Sequence, residues 1–77
     1  MKPQSRQVLD LLRYYGDLGL TQQEAIRDLS CYRLAARISD LRADGFAIRS
    51  LRATDSRGHV YARYYLEEQP EQLAAFG

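Results

Sequence analysis

The chain has 77 residues, 45% of them apolar and 27% charged, with a formal net charge of +1. That composition fits one small folded domain near the lower size limit for a single core, and no apolar run is long enough to span a bilayer. The single Cys31 excludes an internal disulfide and a cysteine-based zinc site within one chain. The leading M-K-P-Q-S-R-Q lacks the apolar stretch of a signal peptide, so a cytoplasmic setting is expected.

Pro3 and then Ser5, a plausible N-cap, precede a first helix from Arg6 to Tyr15, with Val8, Leu11, Leu12 and Tyr15 on one stripe and Gly16 as its stop. Leu18 and Leu20 alternate across Gly19, which suits a brief edge strand. Thr21-Gln22-Gln23-Glu24 is a capping box that opens a second helix running to about Leu29, with Ala25, Ile26 and Leu29 facing inward. Ser30 and Cys31 form a short turn, so a third helix must follow almost at once and cross the second steeply.

The spacing predicts that third helix over Tyr32 to Asp44. Leu34, Ile38 and Leu41 form its buried stripe, and Tyr32, Ala36, Ser39, Asp40 and Ala43 lie opposite. Arg33 is near that outer side, while Arg37 and Arg42 sit on the flanks, where an acid such as Asp28 or Asp44 is within plausible reach. Gly45 ends the helix. Two β-prone runs follow, Phe46 to Arg52 and Val60 to Leu66, joined by the polar turn Ala53–His59. Gln69-Pro70 breaks the second strand, and Pro70 suits the start of a last short helix.

The charges are unevenly placed. Residues 27–63 hold Arg27, Arg33, Arg37, Arg42, Arg49, Arg52, Arg57 and Arg63 against Asp28, Asp40, Asp44 and Asp55, whereas residues 64–77 hold Glu67, Glu68 and Glu71 and no basic residue. Almost every basic residue is arginine, whose planar fork suits phosphate and guanine. Nothing points to catalysis: the one histidine, His59, lies in the polar turn, and no phosphate loop, metal-spaced cluster or nucleophile elbow is present. Asp40 and Asp44 lie one turn apart but read as solvated partners of arginine. No metal and no cofactor is expected.

Two helices joined by a short turn and followed by a hairpin make an α+β winged helix-turn-helix: three helices, a β-hairpin wing and a short C-terminal helix. In such a unit the third helix enters the major groove with its N-terminal residues. Those residues are Tyr32, Arg33, Ala36 and Arg37, with Asp40 a turn further on. Arginine can bond guanine, the Ala36 methyl can meet thymine, and Asp40 can accept from cytosine or orient an arginine. Gln22 and Gln23, at the cap of the second helix, are placed to meet a phosphate. Arg52, Arg57 and His59 make the hairpin loop a candidate for the neighbouring minor groove or its phosphates. Tyr61, Tyr64 and Tyr65 read as half-buried packing, and Cys31 as a small core residue.

The run R-L-A-A-R-I-S-D-L-R-x-x-G, Arg33 to Gly45, together with the capping box and the hairpin, resembles a family of small winged helix-turn-helix domains of bacteriophages, prophages and their hosts. The resemblance covers about residues 5–66 and implies duplex DNA binding in phage gene regulation or DNA transactions. An excisionase-like bending role is a variant of it. The domain is expected over residues 1–66, with residues 67–77 as an acidic tail whose Leu73 and Phe76 could support a homodimer or fold over the first helix. The other expected class is a protein-interaction module of the same fold, binding a host or phage polymerase, nuclease or recombination complex. The modest net charge and the Asp40/Asp44 pair favour that alternative.

Overall fold

The computed structural model describes residues 2–67. The elements run α1 (Pro3–Tyr15), a single 3₁₀ turn (Gly16–Leu18), β1 (Leu20–Thr21), α2 (Gln22–Leu29), α3 (Leu34–Ala43), β2 (Ile48–Thr54) and β3 (Val60–Leu66). The strands form one antiparallel sheet in the order β1-β3-β2. The fold is the expected α+β winged helix. The short C-terminal helix, and with it Leu73 and Phe76, lies outside the described residues.

Helix α1 starts earlier than its sequence suggests. Pro3 occupies the first turn, where its fixed φ suits a helix and its missing N–H is not needed, and Lys2 is the N-cap. Ser5 is therefore not a cap. It is a fully buried residue inside the helix, and its hydroxyl donates to Asp40 Oδ2 at 3.3 Å. The buried stripe is accordingly Ser5, Val8, Leu9 and Leu12, with Leu11 and Tyr15 at its margin. Tyr15 instead donates to Asp28 Oδ2 (2.7 Å) and accepts from Arg27 Nη2 (2.6 Å), tying α1 to α2. Arg27, and then Tyr15, hold the Asp28 carboxyl below its ordinary pKa.

Beyond Tyr15 the chain turns on Gly16 and Gly19, and Thr21 then serves two elements. It is the last residue of β1 and the N-cap of α2, with the full capping box present: its hydroxyl accepts from Glu24 N–H, and Glu24 Oε1 accepts from Thr21 N–H at 2.8 Å. Helix α2 ends at Ser30 in the left-handed region (φ 53°, ψ 34°), and Cys31 N–H returns to Ala25 O at 3.1 Å. Helix α3 ends as predicted, at Gly45 (φ 100°), with Phe46 N–H returning to Leu41 O at 3.1 Å.

The core gathers Val8, Leu9 and Leu12 of α1, Leu20 of β1, Ala25 of α2, Cys31 of the turn, Leu34, Ile38 and Leu41 of α3, and Ile48 of β2. Phe46, Tyr64 and Leu66 close its sheet side. Each fully buried leucine contributes roughly 1.5–3 kcal/mol through apolar burial. The hairpin is anchored only at its base. Past Ile48, every residue of β2 except the half-buried Ala53 is exposed, as is the whole 55–59 turn, so the wing stands away from the core.

Candidate nucleic-acid interface

Helix α3 begins two residues later than periodicity predicts. Arg33 is its N-cap (φ −128°, ψ 61°), and Tyr32 lies outside the helix. The cause is twelve residues upstream. Gln22 Oε1 accepts from Leu34 N–H at 3.0 Å, while Gln22 Nε2 donates to the Cys31 carbonyl at 2.6 Å. One side-chain amide thus satisfies a free N–H of the first turn of α3 and pins the preceding turn. Gln22, read from sequence as a phosphate contact, has both polar atoms engaged within the motif; Gln23 beside it is exposed. Pinned in this way, the turn presents Tyr32, 71% exposed, and Arg33 to solvent.

The later arginines of α3 have other partners. Arg37 Nε pairs with Asp40 Oδ2 at 3.0 Å, its Nη1 reaches Gln4 Oε1 at 3.4 Å, and its side chain is only 19% exposed. Arg42 donates from Nε and Nη2 to the Ile48 carbonyl at 3.1 and 2.8 Å. Neither pairs with Asp28 or Asp44, although Asp40, which the sequence offered as a group to orient an arginine, does hold Arg37. Arg37 takes the acid one turn along its own helix, and Arg42 takes a backbone oxygen where the chain re-enters as β2. Arg42→Ala is expected to lower unfolding free energy by about 1 kcal/mol, read in a urea melt, because it removes two charge-assisted bonds at a partly open site. Ala36 is half-buried, and Ala35, Ser39 and Ala43 are exposed, so the outer side of α3 is built of small groups.

The wing tip is ordered by one carboxylate. Asp55 Oδ1 accepts from Arg57 N–H and His59 N–H, both at 2.9 Å, and Asp55 N–H donates to His59 O at 3.0 Å. His59 Nδ1 lies 3.3 Å from Asp55 Oδ2. The pairs Ile48↔Leu66, Ser50↔Tyr64 and Arg52↔Ala62 share one face of the hairpin, so Arg52 lies on the face that packs against the helices at its base. The other face carries Arg49 stacked on Tyr65 (5.2 Å) and Arg63 on Tyr61 (5.8 Å), with Arg49 paired to Glu67 at 3.2 Å and Arg63 donating to Leu18 O at 2.8 Å. This cation–π ladder was not singled out from sequence, although the alternation of residues 61, 63 and 65 opposite 49, 51 and 53 contains it.

Sorting the arginines by partner leaves a short remainder. Arg6 pairs with Asp10, Arg27 with Asp28, Arg37 with Asp40 and Arg49 with Glu67, while Arg42 and Arg63 bond backbone carbonyls. Among the described residues, only three arginine side chains, those of Arg33, Arg52 and Arg57, enter no ion pair and no side-chain hydrogen bond, and all three are exposed. One lies at the start of α3 and two lie on the wing. Among the described residues, no cluster of His, Cys, Asp and Glu has a metal-holding arrangement, and no helix is long and apolar enough to cross a membrane.

A helix pair joined by a pinned turn, backed by a third helix and followed by a projecting hairpin, defines a winged helix-turn-helix domain. A model of winged helix-turn-helix domains matches residues 3–69, and the chain belongs to that family. No curated protein and no solved structure matches the chain significantly.

Proposed function

We propose that the chain is a non-catalytic protein that binds duplex DNA and reads sequence with the start of α3 in the major groove, while the 46–66 hairpin grips the flanking backbone. The observation that carries this reading is the distribution of unpaired arginines among the described residues, at the N-cap of the motif's second helix and on the wing. Ion-paired arginines have little attraction left for phosphate, whereas Arg33, Arg52 and Arg57 retain theirs. In this reading Tyr32, Arg33 and Ala36 meet base edges, Gln23 meets a phosphate, and Arg52, Arg57 and His59 meet the flanking backbone. Arg37, Asp40 and Gln22 support them. The protein acts in the cytoplasm as a phage or prophage transcription regulator. One such domain covers a short site, so dimers or repeated sites supply the specificity.

Fluorescence anisotropy with mixed-sequence duplex DNA, titrated with salt, tests this. Binding is expected to weaken steeply as salt rises. Arg33→Ala should weaken binding to a duplex selected from a randomised pool by roughly tenfold, the discrimination of one good bidentate contact. Arg57→Ala should weaken all duplexes alike and flatten the log–log salt slope by about one. Binding that ignores salt, or two variants indistinguishable from wild type, would overturn the reading. A second reading, a protein-interaction module, is favoured by the Arg49–Tyr65 and Arg63–Tyr61 stacks beside the 45% exposed Leu51, because arginine and tyrosine dominate interface hot spots.

A further inference from the structure

We propose that Asp40 is a specificity-determining residue that withholds Arg37 from DNA phosphates. The inference rests on the DNA-binding reading above. Arg37 lies four residues after Arg33, one helical turn further along the same helix, and has the length to reach a phosphate beside a groove-bound α3. Its guanidinium is instead drawn back toward the start of α1. There Asp40 Oδ2 lies 3.0 Å from Arg37 Nε and Gln4 Oε1 lies 3.4 Å from Arg37 Nη1.

The acid that holds Arg37 is itself held in place. Asp40 Oδ2 also accepts from the hydroxyl of Ser5, whose side chain is fully enclosed between α1 and α3. Asp40 is therefore anchored by a residue that cannot move without opening the core, and Arg37 is anchored by Asp40. The asymmetry in exposure agrees: the Asp40 side chain is 36% exposed and that of Arg37 only 19%. The consequence is electrostatic. Duplex DNA offers phosphate charge at every step along its axis whatever its sequence, so each arginine free to meet it raises affinity for all sequences equally. An arginine neutralised within the fold adds none of that indiscriminate affinity. The start of α3 is left with Arg33 as its one free cation, and discrimination between sequences is preserved.

A double-mutant cycle tests this. Asn is isosteric with Asp, and its Oδ1 can still accept from Ser5, so Asp40→Asn should keep the fold, as checked by an unchanged thermal melt. The neutral amide no longer offers the charge that holds Arg37 back from a phosphate. Asp40→Asn is expected to raise affinity for mixed-sequence duplex at least about threefold at low salt and to steepen the log–log salt slope by about 0.9, one added phosphate contact. The ratio between affinity for a pool-selected duplex and for mixed duplex should fall by a similar factor. In an Arg37→Ala background, Asp40→Asn should leave the slope unchanged. The proposal is overturned if Asp40→Asn leaves the slope unchanged in the wild-type background, or alters it equally with and without Arg37. Asp40 would then act only through its own charge, or not at all. Wild-type protein in the same titration separates the two failures. If it shows no salt-sensitive binding, the DNA reading itself is wrong; if it binds normally beside a flat cycle, only the role of Asp40 is wrong.

Discussion

Gly19→Ala is expected to lower the unfolding free energy by roughly 2–5 kcal/mol, a large share of the stability of a domain this small. Two effects add. Gly19 has φ 79° and ψ 160°, a backbone conformation open essentially to glycine alone. A Cβ there would lie 2.5 Å from Arg63 Cγ and 2.9 Å from both Arg63 Cδ and Tyr65 Cε1. The Arg63 stem cannot simply swing away, because its guanidinium is fixed to Leu18 O and stacked on Tyr61. The substitution therefore strains the backbone and also pushes β3 away from the connection into β1. Urea unfolding followed by circular dichroism reads the loss as a lower midpoint. A midpoint within error of wild type would mean that the connection can relax at no cost. Gly16→Ala is the companion measurement: it shares the positive φ (51°) but has open space around the added Cβ, so it isolates the backbone contribution and should cost less.

Gln22→Ala is expected to cost about 1–3 kcal/mol, because it strips the Leu34 amide of its partner in the enclosed first turn of α3. The Cys31 carbonyl loses its 2.6 Å donor in the same step. Native-state hydrogen exchange should show the Leu34 amide, protected in the wild type, exchanging much faster, while the amides of the α1 interior keep their relative order of protection. Affinity for duplex DNA should fall with it, since Arg33 directly precedes the residue that Gln22 fixes. Gln22→Glu keeps an acceptor for Leu34 N–H but sets a carboxylate oxygen against a carbonyl, so it should recover only part of the protection. Unchanged exchange at Leu34 in Gln22→Ala would show that the turn holds itself.

Much of this was legible in the sequence, where the determinants are local. The capping box at Thr21, the Leu34/Ile38/Leu41 stripe and the Gly45 stop all act within a single element or its cap, and all appear where periodicity and cap chemistry put them. The beginning of α3 was not legible, because the group that caps it belongs to Gln22, on another helix. The fate of Arg37 and Arg42 was legible only in part: Asp40 stood out as a group that could orient an arginine, but not the partners that other elements supply. Both sit on the flanks of the helix, where the choice between solvent and protein depends on what α1 and β2 bring alongside: Gln4 and Ser5 in one case, the Ile48 carbonyl in the other. Arg33 escapes this choice because it precedes the helix and none of the described residues bonds its side chain. Sequence periodicity thus located the candidate surface but could not sort its arginines into those that hold the fold and those left over.

The bond from Arg42 to Ile48 O also bears on self-association. Ala47 O accepts from Glu67 N–H across the sheet, so the next carbonyl, that of Ile48, faces away from β3 along the open side of β2. An outermost strand with bare carbonyls invites another chain to add itself as a further strand. Here the first such carbonyl is occupied by a guanidinium, and further along the same strand stands the charged Arg52. A second copy is thereby kept from adding its strand to this edge, so Arg42→Ala should raise light scattering at high concentration as well as lower the melt.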